Sequence, residues 1–342
     1  MLYAGIDIHK QVFHAVVLDP VTGELCECRF QPSRERLAEW AGEWEGKLAG
    51  VAIEATTGWR WVTRELQARG FKVHLLDAGR ASALRGRRRK AKTDKLDAKW
   101  LAMILARDLL SECEAWIPPA EIQQLRDQTR LRKSLVESRT DWAQRLHAML
   151  THEGWPCSRG RLLTREGRRW VTALDLDPAA RVHVDVMINV IEGLDEQIGI
   201  VERDLRRFSR SDSRCLALQT IFGVGAILSC HLLAEIGEAT RFKRSRQLVR
   251  ASGLDPTVLE SADTKRRGHL SKQGSPHLRW ALVQAGNQGV RTASPDRTLY
   301  ATVATRCGAR RAKLTVARKI ARRAYHVLAA VETANVDPVT VA

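Results

Sequence analysis

Residues 2–30, LYAGIDIHKQVFHAVVLDPVTGELCECRF, decide the fold of the first part of this chain. Apolar residues alternate with polar ones or run continuously over 2–8, 12–18 and 25–30, which is typical of β-strands. The residues DPVTG at 19–23 have turn-forming chemistry and separate the second strand from the third. Three strands joined by short connections predict a β-meander.

Helical and strand patterns alternate after the meander. A helix is predicted over 33–44 with a serine as its N-cap, then a strand over GVAIEA, a helix over 59–69 and a strand over KVHLLDA. The order βββαβαβα predicts a ribonuclease-H-like (RuvC-like) α/β sheet. We expect this first domain to span residues 1–110.

Four carboxylates are predicted to meet at one end of this sheet. Asp7 and Glu54 interrupt apolar strands near their ends, where an unpaired carboxylate is costly. Asp94 and Asp97 stand three residues apart at the start of a helix that Thr93 can cap, so both can face one ion. Hard oxygen ligands suit Mg²⁺ or Mn²⁺. Each acid alone could be a helix-dipole or surface charge, and the four together favour a metal site.

The helix has its apolar positions on one face: Leu96, Trp100, Leu101, Ile104 and Leu105.

The middle of the chain, residues 111–213, is predicted to be a helical linker and oligomerisation arm. A charged helix is expected over 120–152, and apolar residues then recur in steps of four and three over 187–208. The spacing predicts a coiled-coil seam, although a helix pair within one chain is an alternative. The seam residues are Met187, Ile191, Leu194, Ile198, Val201, Leu205 and Phe208. Residues 214–342 are expected to form a mainly helical, basic domain.

The charge balance indicates a nucleic-acid partner. Lys and Arg number 56 against 39 Asp and Glu, a formal charge of +17, and the cations cluster in stretches instead of being spread evenly. A basic surface without a nucleic-acid role is the alternative. Cations expected to contact nucleic acid in the run RGRRRKAK, 85–92, are Arg87, Arg88, Arg89, Lys90 and Lys92.

Composition also excludes several classes of protein. Hydrophobic residues make up 44% of the chain, and no window approaches 18 uncharged apolar residues, so a membrane span is not expected. The N-terminus lacks the regions of a secretory signal. Seven scattered cysteines without a CxxC pair predict reduced thiols in the cytoplasm and no zinc site.

The basic C-terminal part contains a second group of candidate functional residues. Gly223 and Gly225 predict a tight turn between apolar helices, which resembles a helix-hairpin-helix phosphate contact, with ordinary helix packing equally compatible. Ser261 follows an acid and precedes a loop rich in cations. A serine can attack a phosphodiester only where the displaced charge is neutralised. Cations that could do so are Arg266, Arg267, Lys272 and Arg279.

The motifs taken together resemble insertion-sequence transposases that combine an N-terminal RuvC-like domain with a DEDD carboxylate set and a C-terminal transposase-20 domain. The first domain carries GIDIHK, AIEATTGW and KTDKLDAKWLA. The C-terminal part carries, among others, IFGVG, LLAEIG, ASGLDP, HLSKQGSPHLR and a basic tail, ARRAKLTVARKIARRAYHVL. The resemblance covers nearly the whole chain.

This resemblance assigns roles to residues. It places the DEDD set on Asp7, Glu54, Asp94 and Asp97, and the nucleophilic serine on Ser261. Family members commonly have Ser-Gly at that point, whereas Ala262 and Asp263 follow Ser261 here, so Ser271 is the substitute candidate.

The resemblance also implies partners. It implies a structured non-coding RNA, called a bridge RNA, that pairs with donor and target DNA, and a homo-oligomer, either a dimer or a tetramer. The predicted function is an RNA-guided recombinase that joins DNA strands through a phosphoserine intermediate. A RuvC-like metal-dependent junction resolvase or nuclease is the rival enzyme, in which the serine is passive. A non-catalytic nucleic-acid-binding protein is the third possibility.

Overall fold

The computed structural model describes residues 1–86, 93–261 and 264–336. The chain divides into two compact units, residues 1–117 and residues 118–342. The division into domains at 110 and 213 stays a prediction. Within the described ranges, no helix is both long and apolar enough to cross a membrane. All seven cysteines are free thiols.

The first unit is built on a six-stranded mixed sheet with the strand order β3-β2-β1-β4-β5-β6. The first three strands are antiparallel to one another. Strand β4 runs parallel to β1, β5 runs parallel to β4, and the short β6 is antiparallel to β5. The predicted strands and helices of this unit are confirmed to within two residues, and the arrangement is consistent with a ribonuclease-H-like fold. The elements are β1 (Leu2–Ile8), β2 (Phe13–Leu18), β3 (Leu25–Phe30), α1 (Arg34–Trp44), β4 (Leu48–Glu54), α2 (Trp59–Ala68), β5 (Val73–Leu76), α3 (Ala78–Leu84), α4 (Asp94–Ala106), α5 (Leu110–Cys113) and β6 (Glu114–Ala115).

Successive side chains of β1 point to opposite faces of the sheet, and each face is covered by different helices. Ile6 and Ile8 join the core that α1 and α2 close, where Trp40 is among the largest fully buried side chains. Gly5 and Asp7 have the opposite parity and therefore face the other side of the sheet. That side is covered by α4, which packs against β1, β2 and β4.

The packing of α4 depends on small residues. A Cβ atom added at Gly5 would lie 2.2 Å from the carbonyl oxygen of Ala98 and 2.6 Å from the backbone nitrogen of Ala102, so the helix backbone rests directly on the strand. Leu101 is fully buried beside this contact. The predicted apolar face was wrong at Leu96, which is 36% exposed, because the alanines and not a large residue form this end of the helix contact.

We expect Gly5→Ala to destabilise the first unit, because the added methyl group forces α4 away from β1. Overpacking of this kind costs about 1–3 kcal/mol. Gly42→Ala is the matched control, since Gly42 lies in α1 with no atom within 4 Å of an added Cβ. The control should gain about 0.5–1 kcal/mol from helix propensity. Urea unfolding measures both, and equal free energies of unfolding for the two variants would contradict the close contact.

The second unit is mainly helical. Its longest elements, α6 and α9, pack on each other, and a two-stranded hairpin of β7 and β8 is inserted near the end. The predicted helical character is confirmed, whereas the hairpin was not predicted. The elements are α6 (Ala120–His152), α7 (Arg159–Leu162), α8 (Arg165–Thr172), α9 (Pro178–Ser211), α10 (Ser213–Gln219), α11 (Ala226–Ile236), α12 (Ser245–Ala251), β7 (Pro256–Ser261), β8 (Thr264–Leu270), α13 (Pro276–Gly286), α14 (Arg297–Cys307) and α15 (Ala309–Val336), with short 3₁₀ helices at Ala239–Arg241 and Asn287–Val290.

The seam predicted for self-association is used within the chain. Ile191, Ile198 and Leu205 on α9 are buried, and ion pairs from α6 to the same helix flank them. Ile191→Asp would therefore bury a charge inside the chain's own helix pair, which makes it a test of folding and not of assembly.

Candidate active site

Asp7 and Glu54 lie on neighbouring strands at the same end of the sheet. In the parallel pairing of β1 with β4, Gly5 is opposite Ala52 and Ile6 is opposite Ile53. The next position along both strands holds Asp7 and Glu54, so the two acids are about 5 Å apart at the backbone and share the face covered by α4. The predicted convergence of these two strand ends is thus supported by the register.

The first turn of α4 brings two more carboxylates to this end. The Thr93 hydroxyl accepts a hydrogen bond from the Leu96 backbone nitrogen at 3.3 Å, which is the predicted N-cap. The helix consequently starts at Asp94 and continues through Asp97. Burial raises the pKa of Asp7, and the charges of Asp97 and then Asp94 raise it further. Three carboxylates therefore repel one another across the helix–strand contact.

Two basic side chains partly neutralise these acids, and sequence reasoning gave neither of them this role. His14 pairs with Asp7 in the antiparallel register of β1 and β2, and its Nε2 atom is 3.7 Å from an oxygen of Asp94. Arg85, which follows α3, donates from Nη1 to Asp97 at 2.5 Å. The register was the only signal that could have identified His14.

The donor set fits a hard divalent cation. All four candidate ligands are carboxylates, and an ion placed among them would relieve their mutual repulsion. Across residues 1–86, 93–261 and 264–336, however, no three His, Cys, Asp or Glu side chains are close enough together to hold an ion. Since like charges separate and Arg85 engages Asp97, coordination requires the carboxylates to turn toward a common point.

We expect Asp7→Asn to stabilise the ion-free protein, because it removes a half-buried charge that faces two other acids. The melting temperature should rise by about 2 °C or more. Mg²⁺ should stabilise the wild type through binding to the folded state and should stabilise the variant less. Differential scanning calorimetry with EDTA and with Mg²⁺ measures both effects.

Glu39→Gln is the control for this measurement. Glu39 is an exposed acid on α1 that pairs with Arg36 one turn away. Its replacement should change neither melting temperature. If Asp7→Asn lowers stability without the ion and keeps the full response to Mg²⁺, Asp7 does not serve a cation site.

The glycines at 223 and 225 form the predicted turn between α10 and α11. Gly223 has a φ of +88°, and a Cβ atom there would come within 3.0 Å of the Ala285 carbonyl oxygen and the Gln288 side chain. This glycine is therefore required for packing against the end of α13. Gly225 is exposed and has open space around it, which leaves the start of α11 accessible.

Ser261 lies at the turn end of the hairpin. The register of β7 with β8 places Ser261 opposite Thr264 and Leu259 opposite Arg266. Arg266 is two residues from Thr264, about 7 Å along the strand. The backbone thus brings a cationic strand alongside the candidate serine, while the side chains of Ser261, Arg266 and Arg267 lie outside the described part of the chain, as do Ala262 and Asp263.

Ser271, the substitute candidate, is held at the base of the hairpin. Its hydroxyl donates to an oxygen of Asp255 at 2.6 Å, and its backbone nitrogen donates to the Asp255 carbonyl oxygen at 2.8 Å. Lys272 follows with an exposed side chain and a φ of +52°. Arg279 donates from Nη1 to the carbonyl oxygens of Ser252 and Lys272, so this predicted phosphate ligand also braces the loop.

A buried carboxylate anchors the segment that follows. Glu235 on α11 accepts two hydrogen bonds from Arg130 on α6, at 2.9 and 3.2 Å, and one from the Ser275 hydroxyl at 2.7 Å. The same hydroxyl caps α13 by accepting from the Leu278 backbone nitrogen. These partners hold the pKa of Glu235 below its ordinary value despite the opposing effect of burial. The Ser275 hydroxyl therefore ties the segment after the hairpin to this ion pair, and the Ser275 backbone nitrogen also donates to the Ala251 carbonyl oxygen.

The basic run predicted to bind nucleic acid falls outside the described residues. This applies to Arg87, Arg88, Arg89, Lys90 and Lys92. Their roles remain predictions.

Comparison with known proteins identifies the class to which the fold and the carboxylate end belong. A transposase family model of the IS110 DEDD type matches residues 4–153, and a second model, described as transposase IS116/IS110/IS902 family, matches residues 215–301. Both describe enzymes that recombine DNA. The chain belongs to the IS110 family of transposases.

Several relatives extend over most of the chain. A probable family 20 transposase of Pseudomonas aeruginosa is 27% identical over 84% of this chain and 83% of its own length. The transposase for insertion sequence element IS1111A of Coxiella burnetii is 25% identical over 96% and 90%, and that for IS1328 of Yersinia enterocolitica is 26% identical over 82% and 81%. The recognised resemblance is thereby confirmed at the level of the family.

Proposed function

We propose that this transposase cuts and rejoins DNA through a covalent link to Ser261, with assistance from Mg²⁺ or Mn²⁺ and guidance by a bridge RNA. The observation that carries the proposal is the gathering of Asp7, Asp94 and Asp97 at the sheet end, in a chain of the IS110 family. Burial raises the pKa of Asp7, and the charges of two neighbouring acids raise it further, so this carboxyl group serves charge binding better than it serves the core.

The N-terminal acids would hold the ion. The ion supplies charge to stabilise the phosphate oxygens of the strand being cut. Asp7 and Glu54 are on adjacent strands, and Asp94 and Asp97 come from the start of α4, so the chain presents donors from two directions. Replacement of Asp7, Glu54 or Asp97 by alanine is expected to abolish recombination while the fold is retained.

The serine step conserves bond energy. The Ser261 oxygen forms a bond to phosphorus and loses its proton to a base, one phosphorus–oxygen ester bond to a deoxyribose breaks, and the released sugar oxygen takes up a proton. Attack by the hydroxyl of another strand reverses these changes and frees the serine. The reaction therefore needs no nucleotide cofactor.

On the second unit, the DNA contacts would lie on the hairpin, on the loop after it and at the start of α11. Arg266 and Arg267 lie on β8 opposite the strand that ends in Ser261, and Lys272 projects from the loop beyond. The exposed turn at Gly225 adds backbone groups at the start of α11. Contacts of this kind do not depend on the DNA sequence, so the DNA target would be selected by base pairing with the bridge RNA.

A homo-oligomer, either a dimer or a tetramer, belongs to the same proposal. The seam residues Ile191, Ile198 and Leu205 are buried within the chain and are not free to form the subunit contact. Assembly would use a different surface, and donor and target DNA would be held by more than one copy.

A covalent protein–DNA adduct tests the serine assignment. Wild-type protein mixed with labelled DNA, the RNA and Mg²⁺ is expected to give a slow band on denaturing electrophoresis. Ser261→Ala and Asp7→Ala should both lose it, because one lacks the nucleophile and the other lacks a ligand for the ion. Ser261→Cys should give an adduct with altered yield.

Ser271→Ala is the matched control for the adduct assay. Its hydroxyl binds Asp255 at the hairpin base, so this variant should keep the band with reduced yield. A band that survives Ser261→Ala and disappears in Ser271→Ala would reassign the nucleophile. If DNA is cut with Mg²⁺ and no adduct forms in any variant, the protein is a metal-dependent nuclease instead.

RNA guidance predicts that a defined transcript accompanies the protein. Purification from cells that carry the gene with its flanking DNA, followed by sequencing of the bound RNA, should recover one non-coding species. The surplus of cations supports this expectation. Cells that carry the coding region alone are the control, and a random RNA population from both would contradict guidance.

A further inference from the structure

Arg85 makes three contacts around one candidate metal ligand. Its Nη1 atom donates to Asp97 at 2.5 Å, and its Nη2 atom donates to the Leu96 carbonyl oxygen at 3.1 Å. The guanidinium also lies 5.7 Å from the ring centroid of Trp100. One side chain thus reaches a carboxylate, a carbonyl and an aromatic ring, all of them on α4.

The surroundings of this arginine are held in place by the fold. The Trp100 indole nitrogen donates to the Ala81 carbonyl oxygen at 2.8 Å, which ties α4 to α3, the helix that Arg85 follows. The side chain of Arg85 is 30% exposed and that of Asp97 is 16% exposed, so water screens the ion pair incompletely. The arginine therefore supplies substantial positive charge to the carboxylate end.

A cation and this guanidinium compete for the same oxygen atoms. Bidentate coordination of a divalent ion by Asp97 would need Oδ1, the oxygen that accepts the hydrogen bond from Arg85. An ion bound to the other carboxylate oxygen alone would still be repelled by the like charge of the guanidinium. Binding of an ion would therefore weaken the Arg85 contact, and thermodynamic linkage makes the effect reciprocal. The free energy of the Arg85–Asp97 ion pair therefore makes the apparent free energy of ion binding less favourable.

We propose that Arg85 is an exchangeable counter-ion of the carboxylate cluster. It neutralises Asp97 while no ion is bound, and it leaves Asp97 when the ion binds. The inference rests on the proposed metal role of Asp7, Asp94 and Asp97. The released guanidinium then stands next to the ion, where its planar set of donors suits a phosphate group of the DNA strand.

Manganese binding to the full-length protein tests this exchange without any measurement of recombination. Titration of Mn²⁺, with the free ion followed by electron paramagnetic resonance, should show about five-fold tighter binding for Arg85→Gln than for wild type, equivalent to about 1 kcal/mol. In EDTA the same variant should melt at a lower temperature than wild type, because Asp97 has lost its partner.

Arg80→Gln is the matched control. Arg80 is an exposed arginine on α3 that has no ion pair within the residues that the structure describes, and its replacement removes the same charge five positions earlier. It should change Mn²⁺ affinity far less. Arg85→Lys, which keeps the charge but not the paired donors, should fall between wild type and Arg85→Gln and provides a second test if the glutamine variant folds poorly.

The outcomes separate this inference from the proposed function. If wild type binds no Mn²⁺, both the metal assignment and the exchange are overturned. If wild type binds Mn²⁺ and Arg85→Gln matches Arg80→Gln, the metal site stands and Arg85 is only a structural ion pair. Weaker Mn²⁺ binding in Arg85→Gln would also overturn the exchange.

Discussion

The direct contact of α4 with β1 at Gly5 is the constraint on which the candidate active site depends. Because no side chain separates the two backbones, the first turn of the helix comes level with the end of the strand. Asp94 and Asp97 then act on Asp7, although nearly ninety residues of sequence lie between them. A larger residue at position 5 would push α4 and its core away from β1 and move the acids apart, while the core on the opposite face of the sheet would be kept.

The chemistry of the site follows from charges that the fold brings together against their own repulsion. A protein that needed only stability would place apolar groups at this helix–strand contact. Here His14 and Arg85 offset part of the repulsion from opposite sides, one through strand register and one through the segment after α3. The repulsion within the cluster is consequently offset in part without an ion.

Sequence reasoning predicted the sheet well because its strands follow simple alternation and its turns have clear chemistry. It also identified Thr93 as a cap, since capping depends on local hydrogen bonds. It did not predict the role of Ala98 in helix packing, the pairing of Arg85 with Asp97 or the β7–β8 hairpin. These features arise from contacts between distant segments, and the hairpin strands carry charged residues in place of an apolar pattern.

The buried ion pair of Glu235 has a consequence for how relatives of this protein can diverge. Its partners Arg130 and Ser275 are separated from it by 105 and 40 residues of sequence. Loss of either one alone leaves a buried carboxylate without a full set of donors, at a cost of about 3–5 kcal/mol for the arginine. A substitution at one of these three positions is therefore expected to be tolerated only when the other two change with it.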